Sequence, residues 1–222
     1  MKRWISILLL LALALSLTAC GSQSGGQASA PTNTQSPESS ATDSGASEKN
    51  MLIVYFAPSN SDTVDAVSSA TPRTNGVAST QYMAELIQAQ TGADIAPIVP
   101  TEAYPLPYND TADQAKQEQN DDVRPTFTLD ANPEDYDVIV IGYPIWWYHL
   151  PMILRSFFDT YDFTGKTIVP FNTHAGSRDG GTYLEIAELE PGATVTEGLA
   201  VSGEKAGSSE SAVRDWLSKL GY

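Results

Sequence analysis

Cysteine occurs once in this chain, at position 20, and histidine twice, at 149 and 174. A lone thiol closes no internal disulfide. Two histidines at no ligand spacing leave no legible zinc-type site. Cations are scarce: 12 Lys and Arg stand against 27 Asp and Glu, a net charge of −15. That deficit argues against nucleic acid as a partner and against binding anionic lipid by charge. It suits a basic protein partner, or solubility alone. Long apolar runs are few, and Ile5–Leu17 is too short for a comfortable membrane span. No nucleophile-elbow pattern marks a Ser-His-Asp hydrolase. The expected strand ends Phe56-Ala57 and Gly142-Tyr143 carry no carboxylate, which sets aside a phospho-acceptor receiver domain. No internal repeat is visible.

The amino terminus has the anatomy of a secretory signal: Lys2 and Arg3, then the apolar run, then small residues before Cys20. The segment Leu17-Thr-Ala-Cys20 resembles the lipobox of bacterial lipoproteins. That resemblance implies removal of residues 1–19 and a lipid on Cys20. Residues 20–50 are rich in Ser, Gly, Gln, Thr, Ala and Pro, with almost no large apolar residue. Such a stretch buries too little surface to offset its ordering entropy and is expected to be a disordered tether. Residues 51–222 remain for one domain, which the lipobox resemblance implies is held by lipid on the outer face of the cell membrane.

Within that domain, strands are expected at Met51–Ala57, Asp94–Val99, Asp137–Ile141, Lys166–Asn172 and Ala193–Val201. Pro97 marks the second as an edge strand. Helices are expected from Ser79 or Thr80 as N-cap to Gly92, over Thr111–Val123, Pro151–Tyr161, Tyr183–Glu190 and Ser209–Leu220. Val138–Ile141 is an unbroken apolar run, the mark of a strand covered on both faces. Alternating strands and helices call for an α/β fold: a doubly wound five-stranded parallel sheet in the order 2-1-3-4-5. Ligands of such sheets bind outside the carboxyl ends of the strands. There the central strand runs into Pro144, Ile145, Trp146, Trp147 and Tyr148, whose flat rings suit a flat, π-rich ligand.

Three stretches carry a family resemblance: Leu52-Ile-Val-Tyr-Phe56, Asp135-Tyr-Asp-Val-Ile-Val-Ile-Gly-Tyr-Pro-Ile-Trp-Trp147, and Tyr161-Asp-Phe-Thr-Gly-Lys-Thr-Ile-Val-Pro-Phe-Asn-Thr-His-Ala-Gly-Ser177. On these the chain resembles the flavodoxin-like family over about residues 51–201. The resemblance implies non-covalent FMN. Ser59 and Asn60, with Ser79 and Thr80, stand where the family holds the FMN phosphate. The family's compact Thr-Gly-Asn-Thr turn is replaced by an insertion over residues 61–78. Pro144–Tyr148 would line the isoalloxazine ring, with Trp146 or Trp147 against its face and backbone groups near Ile145 at its edge. Thr173, His174, Ala175, Gly176 and Ser177 would close the other side. His174 would touch the ring edge or a substrate, or fix its own loop.

No protein residue is assigned as catalytic, because the flavin carries the electrons. An acidic, aromatic surround disfavours anionic reduced flavin and lowers its potential. Two functions follow from the resemblance. One is an FMN redox protein, either an electron carrier or an oxidoreductase, exchanging electrons with a partner protein or a quinone. The other is a flavodoxin-fold lipoprotein that has lost FMN and serves as a non-enzymatic binding module. Oligomeric state stays open.

Overall fold

The computed structural model describes residues 50–58, 73–74, 76–105 and 108–222. The signal segment, Cys20, the tether to residue 49, and Ser59 and Asn60 lie outside the described residues. Asn50, the expected last tether residue, already belongs to the fold. Its carbonyl accepts the N–H groups of Asp137 and Val138 at 3.0 and 3.1 Å, and its own N–H reaches the Asp137 carboxylate.

Four long parallel strands make the sheet: β1 (Met51–Phe56), β4 (Asp94–Pro100), β6 (Val138–Pro144) and β7 (Thr167–His174). β4 and β6 flank β1, and β7 lies beyond β6. The fifth position is filled by two short pieces, β8 (Thr194–Val195) and β9 (Leu199–Ser202), both parallel to β7. The expected order 2-1-3-4-5 is therefore present, but the expected continuous strand Ala193–Val201 is not. Its gap lies opposite Pro170, which has no N–H to offer a neighbour. The Tyr183 ring also crosses Gly198 so closely that a Cβ there would lie 2.4 Å from it.

The expected edge strand β4 gains one short neighbour. β5 (Phe127–Thr128) pairs antiparallel with Val99 and Pro100, leaving Pro97 clear of that ladder. A separate two-stranded ribbon, β2 (Arg73–Thr74) with β3 (Val77–Ala78), precedes the first helix.

Alternation along the strands feeds two cores. Leu52, Val54, Phe56, Ile139, Ile141 and Tyr143 face one side. There α3 (Met152–Thr160) contributes Ile153, Leu154, Phe157 and Phe158, α4 (Thr182–Leu189) Ile186, and α2 (Tyr108–Asn120) Ala115. Ile53, Tyr55, Val138, Val140, Val169 and Phe171 face the other. That side is covered by Met83, Ala84 and Ile87 of α1 (Ser79–Thr91) and by Val213, Trp216 and Leu217 of α5 (Glu210–Leu220). All seven residues of β6 are buried, as its double cover requires.

Candidate cofactor site

The chain leaves β1 toward β4 on one side and returns to β6 on the other, so the strand order reverses between β1 and β6. A reversal of this kind opens a crevice at the carboxyl ends of the strands. Three segments meet there: the end of β6 with its following turn, the end of β7, and the start of α1.

Pro144 is the last residue of β6 and pairs with Thr173 of β7. The Ile145 N–H continues the ladder to the Thr173 carbonyl at 2.9 Å. Trp146 and His149 then exchange two backbone hydrogen bonds, at 3.2 and 2.9 Å. The two residues between them, Trp147 and Tyr148, have φ of 49° and 65°. Two left-handed central residues are the pattern of a type I′ turn, which bulky side chains adopt only at a cost. The segment is thus a tight aromatic tip.

The two tryptophans part company. Trp146 is buried and meets Phe56 and Tyr104 edge-on, at ring-centre distances of 5.3 and 5.1 Å. It is a core residue beneath the turn, not a ring on its surface. Trp147 is 47% exposed and Tyr148 68%. The Trp147 indole N–H donates to the Ala112 carbonyl of α2 at 2.9 Å, and Lys116 Nζ stands 5.5 Å from its ring centre. Of the pair expected to flank a ligand, Trp147 holds the accessible ring.

β7 runs further than the expected Asn172. Thr173 and His174 are strand residues, because β9 continues alongside and pairs them with Val201 and Ser202. Ala175, Gly176 and Ser177 form the loop proper. Ala175 does not take a left-handed conformation; Gly176 does, at φ 124°. His174 Nδ1 accepts the Gly176 N–H at 3.0 Å, which leaves the neutral ring's proton on Nε2. Burial, then the nearby Arg178 guanidinium, lower its pKa below the usual histidine value. His174 therefore fixes its own loop and stays neutral near pH 7.

The loop is braced from below. Buried Asn172 donates to the Arg178 carbonyl at 2.9 Å and accepts the Tyr183 hydroxyl at 2.5 Å. Thr182 donates to the Asp179 carbonyl at 2.6 Å and bonds the Tyr143 hydroxyl at 3.0 Å. None of these props was foreseen from the sequence, since each links residues whose partners only the fold supplies.

The start of α1 differs from expectation. The helix begins at Ser79, Ala78 occupies the N-cap, and among the described residues no side chain caps it. Ser79 and Thr80 are instead buried first-turn residues. Ser79 donates to the Gly203 carbonyl at 3.3 Å. The Thr80 hydroxyl lies 2.7 Å from that of Thr173. Thr80 therefore ties α1 to the end of β7, and an anion at this helix would meet backbone N–H groups, which a first turn leaves without intrahelical partners.

These groups fit the ring half of FMN. Trp147 and Tyr148 offer flat surfaces, and among the described residues their backbone N–H groups meet no protein acceptor. Such donors match the nitrogen and carbonyl acceptors along an isoalloxazine edge. For the phosphate, the first turn of α1 is at hand; the rest of the expected cradle, Ser59 and Asn60, lies outside the described residues.

Comparison with known proteins finds flavoproteins of the same fold. A candidate flavoprotein from Bacteroides eggerthii is 29% identical over 78% of this chain and 99% of its own, with a TM-score of 0.61. A second from Bacteroides uniformis is 26% identical over 77% and 98%, with a TM-score of 0.60. A flavoprotein from Lactobacillus acidophilus, solved in complex with FMN, shares the fold at 21% identity, over 72% and 97%, with a TM-score of 0.53. No curated protein matches the chain significantly. The flavodoxin family model matches residues 62–220. Spanning well over half the chain, that match establishes that this protein belongs to the flavodoxin family.

Proposed function

We propose that the protein is an FMN-binding redox protein, held by a lipid on Cys20 at the outer face of the membrane. It passes electrons between a partner protein or a quinone and its flavin, as a carrier or as an oxidoreductase. The observation that carries this reading is the aromatic tip at the strand-order reversal, with the exposed Trp147 ring and two backbone N–H groups that meet no protein acceptor among the described residues. FMN, when bound, accepts and returns the electrons. The chain's part is to hold the ring, keep its edge hydrogen-bonded and limit access. The resemblance of Leu17–Cys20 to a lipobox supports the anchor.

A second reading has one observation in its favour. The Ser79 and Thr80 hydroxyls are engaged inside the protein, as expected if the phosphate site has decayed and the fold now serves as a binding module. Titration of the purified full-length protein with FMN separates the two. Stoichiometric quenching of flavin fluorescence, weakened by Trp147→Ala, is the expected result. No quenching at micromolar FMN refutes the cofactor reading and leaves the binding module.

A further inference from the structure

α2 reads as an ordinary polar helix, yet one of its stripes, beside the buried Ala115 and Glu118, faces the aromatic tip. Ala112, Lys116 and Gln119 stand at i, i+4 and i+7, one face of a helix. All three act on the same aromatic tip. The Ala112 carbonyl accepts the Trp147 indole N–H. The Lys116 ammonium lies over the Trp147 ring. Gln119 Nε2 donates to the Trp146 carbonyl at 2.9 Å, the same oxygen that accepts the His149 N–H and closes the turn. Among the described residues Gln119 Oε1 is buried without a partner, so the side chain keeps a costly position to make that one bond.

Two bulky residues in left-handed conformation cost free energy, and such strain persists only where the surroundings over-determine it. We propose that the 112/116/119 stripe of α2 is a splint that holds the Trp146–His149 turn in its left-handed form, with Gln119 as the positioning residue. The inference rests on the FMN reading for its ligand: the splint fixes the backbone of Trp147 and Tyr148, whose N–H groups meet no protein acceptor among the described residues, before the cofactor arrives. A ligand that needs one conformation binds more weakly in proportion as that conformation is depopulated.

Gln119→Leu is the sharpest probe. It removes the donor and the unpartnered oxygen together while keeping most of the volume, so thermal stability stays within about 2 °C of wild type. Lys116→Ala removes the ring contact independently, and Gln117→Leu, off the stripe, is the control. Two readouts are taken on full-length protein: amide hydrogen exchange of a peptide covering residues 146–150 without FMN, and the FMN dissociation constant. Expected for Gln119→Leu are exchange faster by about fivefold and FMN binding weaker by about tenfold, with smaller changes of the same sign for Lys116→Ala and none for Gln117→Leu.

Unchanged exchange in both stripe variants overturns the splint, whatever FMN does. Loss of stability that accelerates exchange throughout the sheet also overturns it, because the role is then merely structural. If wild type binds no FMN but exchange at 146–150 alone accelerates in the stripe variants, the cofactor reading fails and the splint stands.

Discussion

Adding one methyl group at Gly142 tests how the two central strands set the site. Gly142 lies in β6, two residues before Pro144, and pairs with Phe171 of β7. A Cβ built there would sit 2.0 Å from Phe171 Cζ and 2.5 and 2.6 Å from its two Cε atoms. Those distances are far inside van der Waals contact. The ring is itself fully buried, packed in the core formed with α1 and α5. It has no solvent side to retreat to, so Gly142→Ala must displace it or shift β6. Overpacking of this kind costs about 1–3 kcal/mol, and a clash with a whole ring belongs at the upper end, near 3 kcal/mol. For a domain of this size that lowers the melting temperature by about 6–12 °C. Urea denaturation of the full-length protein measures the loss, and Phe171→Leu in the same background should recover about 1–2 kcal/mol as a coupling energy. FMN affinity should fall with the single change and return with the second, since the displaced strands carry Pro144 and Thr173. A Gly142→Ala protein within about 0.5 kcal/mol of wild type, or a penalty unchanged by Phe171→Leu, refutes the claim that this contact sets the spacing of the site strands.

Other expectations follow from single residues. Trp146→Ala should lose about 3–5 kcal/mol of stability in denaturant, as removal of a buried ring does, while Trp147→Ala should cost under about 1 kcal/mol and weaken FMN binding instead. Thr80→Val should destabilise by about 1–2 kcal/mol, because its buried hydroxyl pairs with that of Thr173; equal stability in thermal melts would count against that pairing. Glu190 is pushed up to about 7, by burial first and then by Asp162 and Asp159. A raised carboxyl binds its proton more tightly when folded, so its contribution is full below about pH 4.5 and is lost as pH rises through 7. With solvent screening the loss is about 1 kcal/mol. Glu190→Gln should therefore gain that much at pH 8 and nothing at pH 4, read from urea midpoints at the two values.

Much of the sheet was legible because its signals are local. The run Val138–Ile141 could only be a doubly covered strand, and β6 is buried throughout. The misjudged boundaries have non-local causes. β7 extends through polar Thr173 and His174 because β9 pairs with them, a neighbour that hydropathy along one strand does not reveal. The fifth strand breaks because Pro170 lies on the strand opposite the gap. Ser79 and Thr80 have the chemistry of helix caps, but their hydroxyls find better partners across the fold.

The same distinction explains the aromatic tip. Adjacent tryptophans told us that two large rings sit at a strand end, and the tight turn sends them to opposite environments. Trp146 goes inward, where the Phe56 and Tyr104 rings meet it at near right angles. Trp147 is carried outward by a backbone conformation that no tryptophan prefers. A helix with mostly polar residues then becomes the element that makes this conformation stable. Its Lys and Gln are indistinguishable by type from those on a solvated face. They differ only in what the fold sets opposite them: an indole ring and the carbonyl that closes the turn. At this edge the sheet supplies the location, the turn supplies N–H groups without a protein acceptor among the described residues, and α2 supplies the contacts that brace the turn.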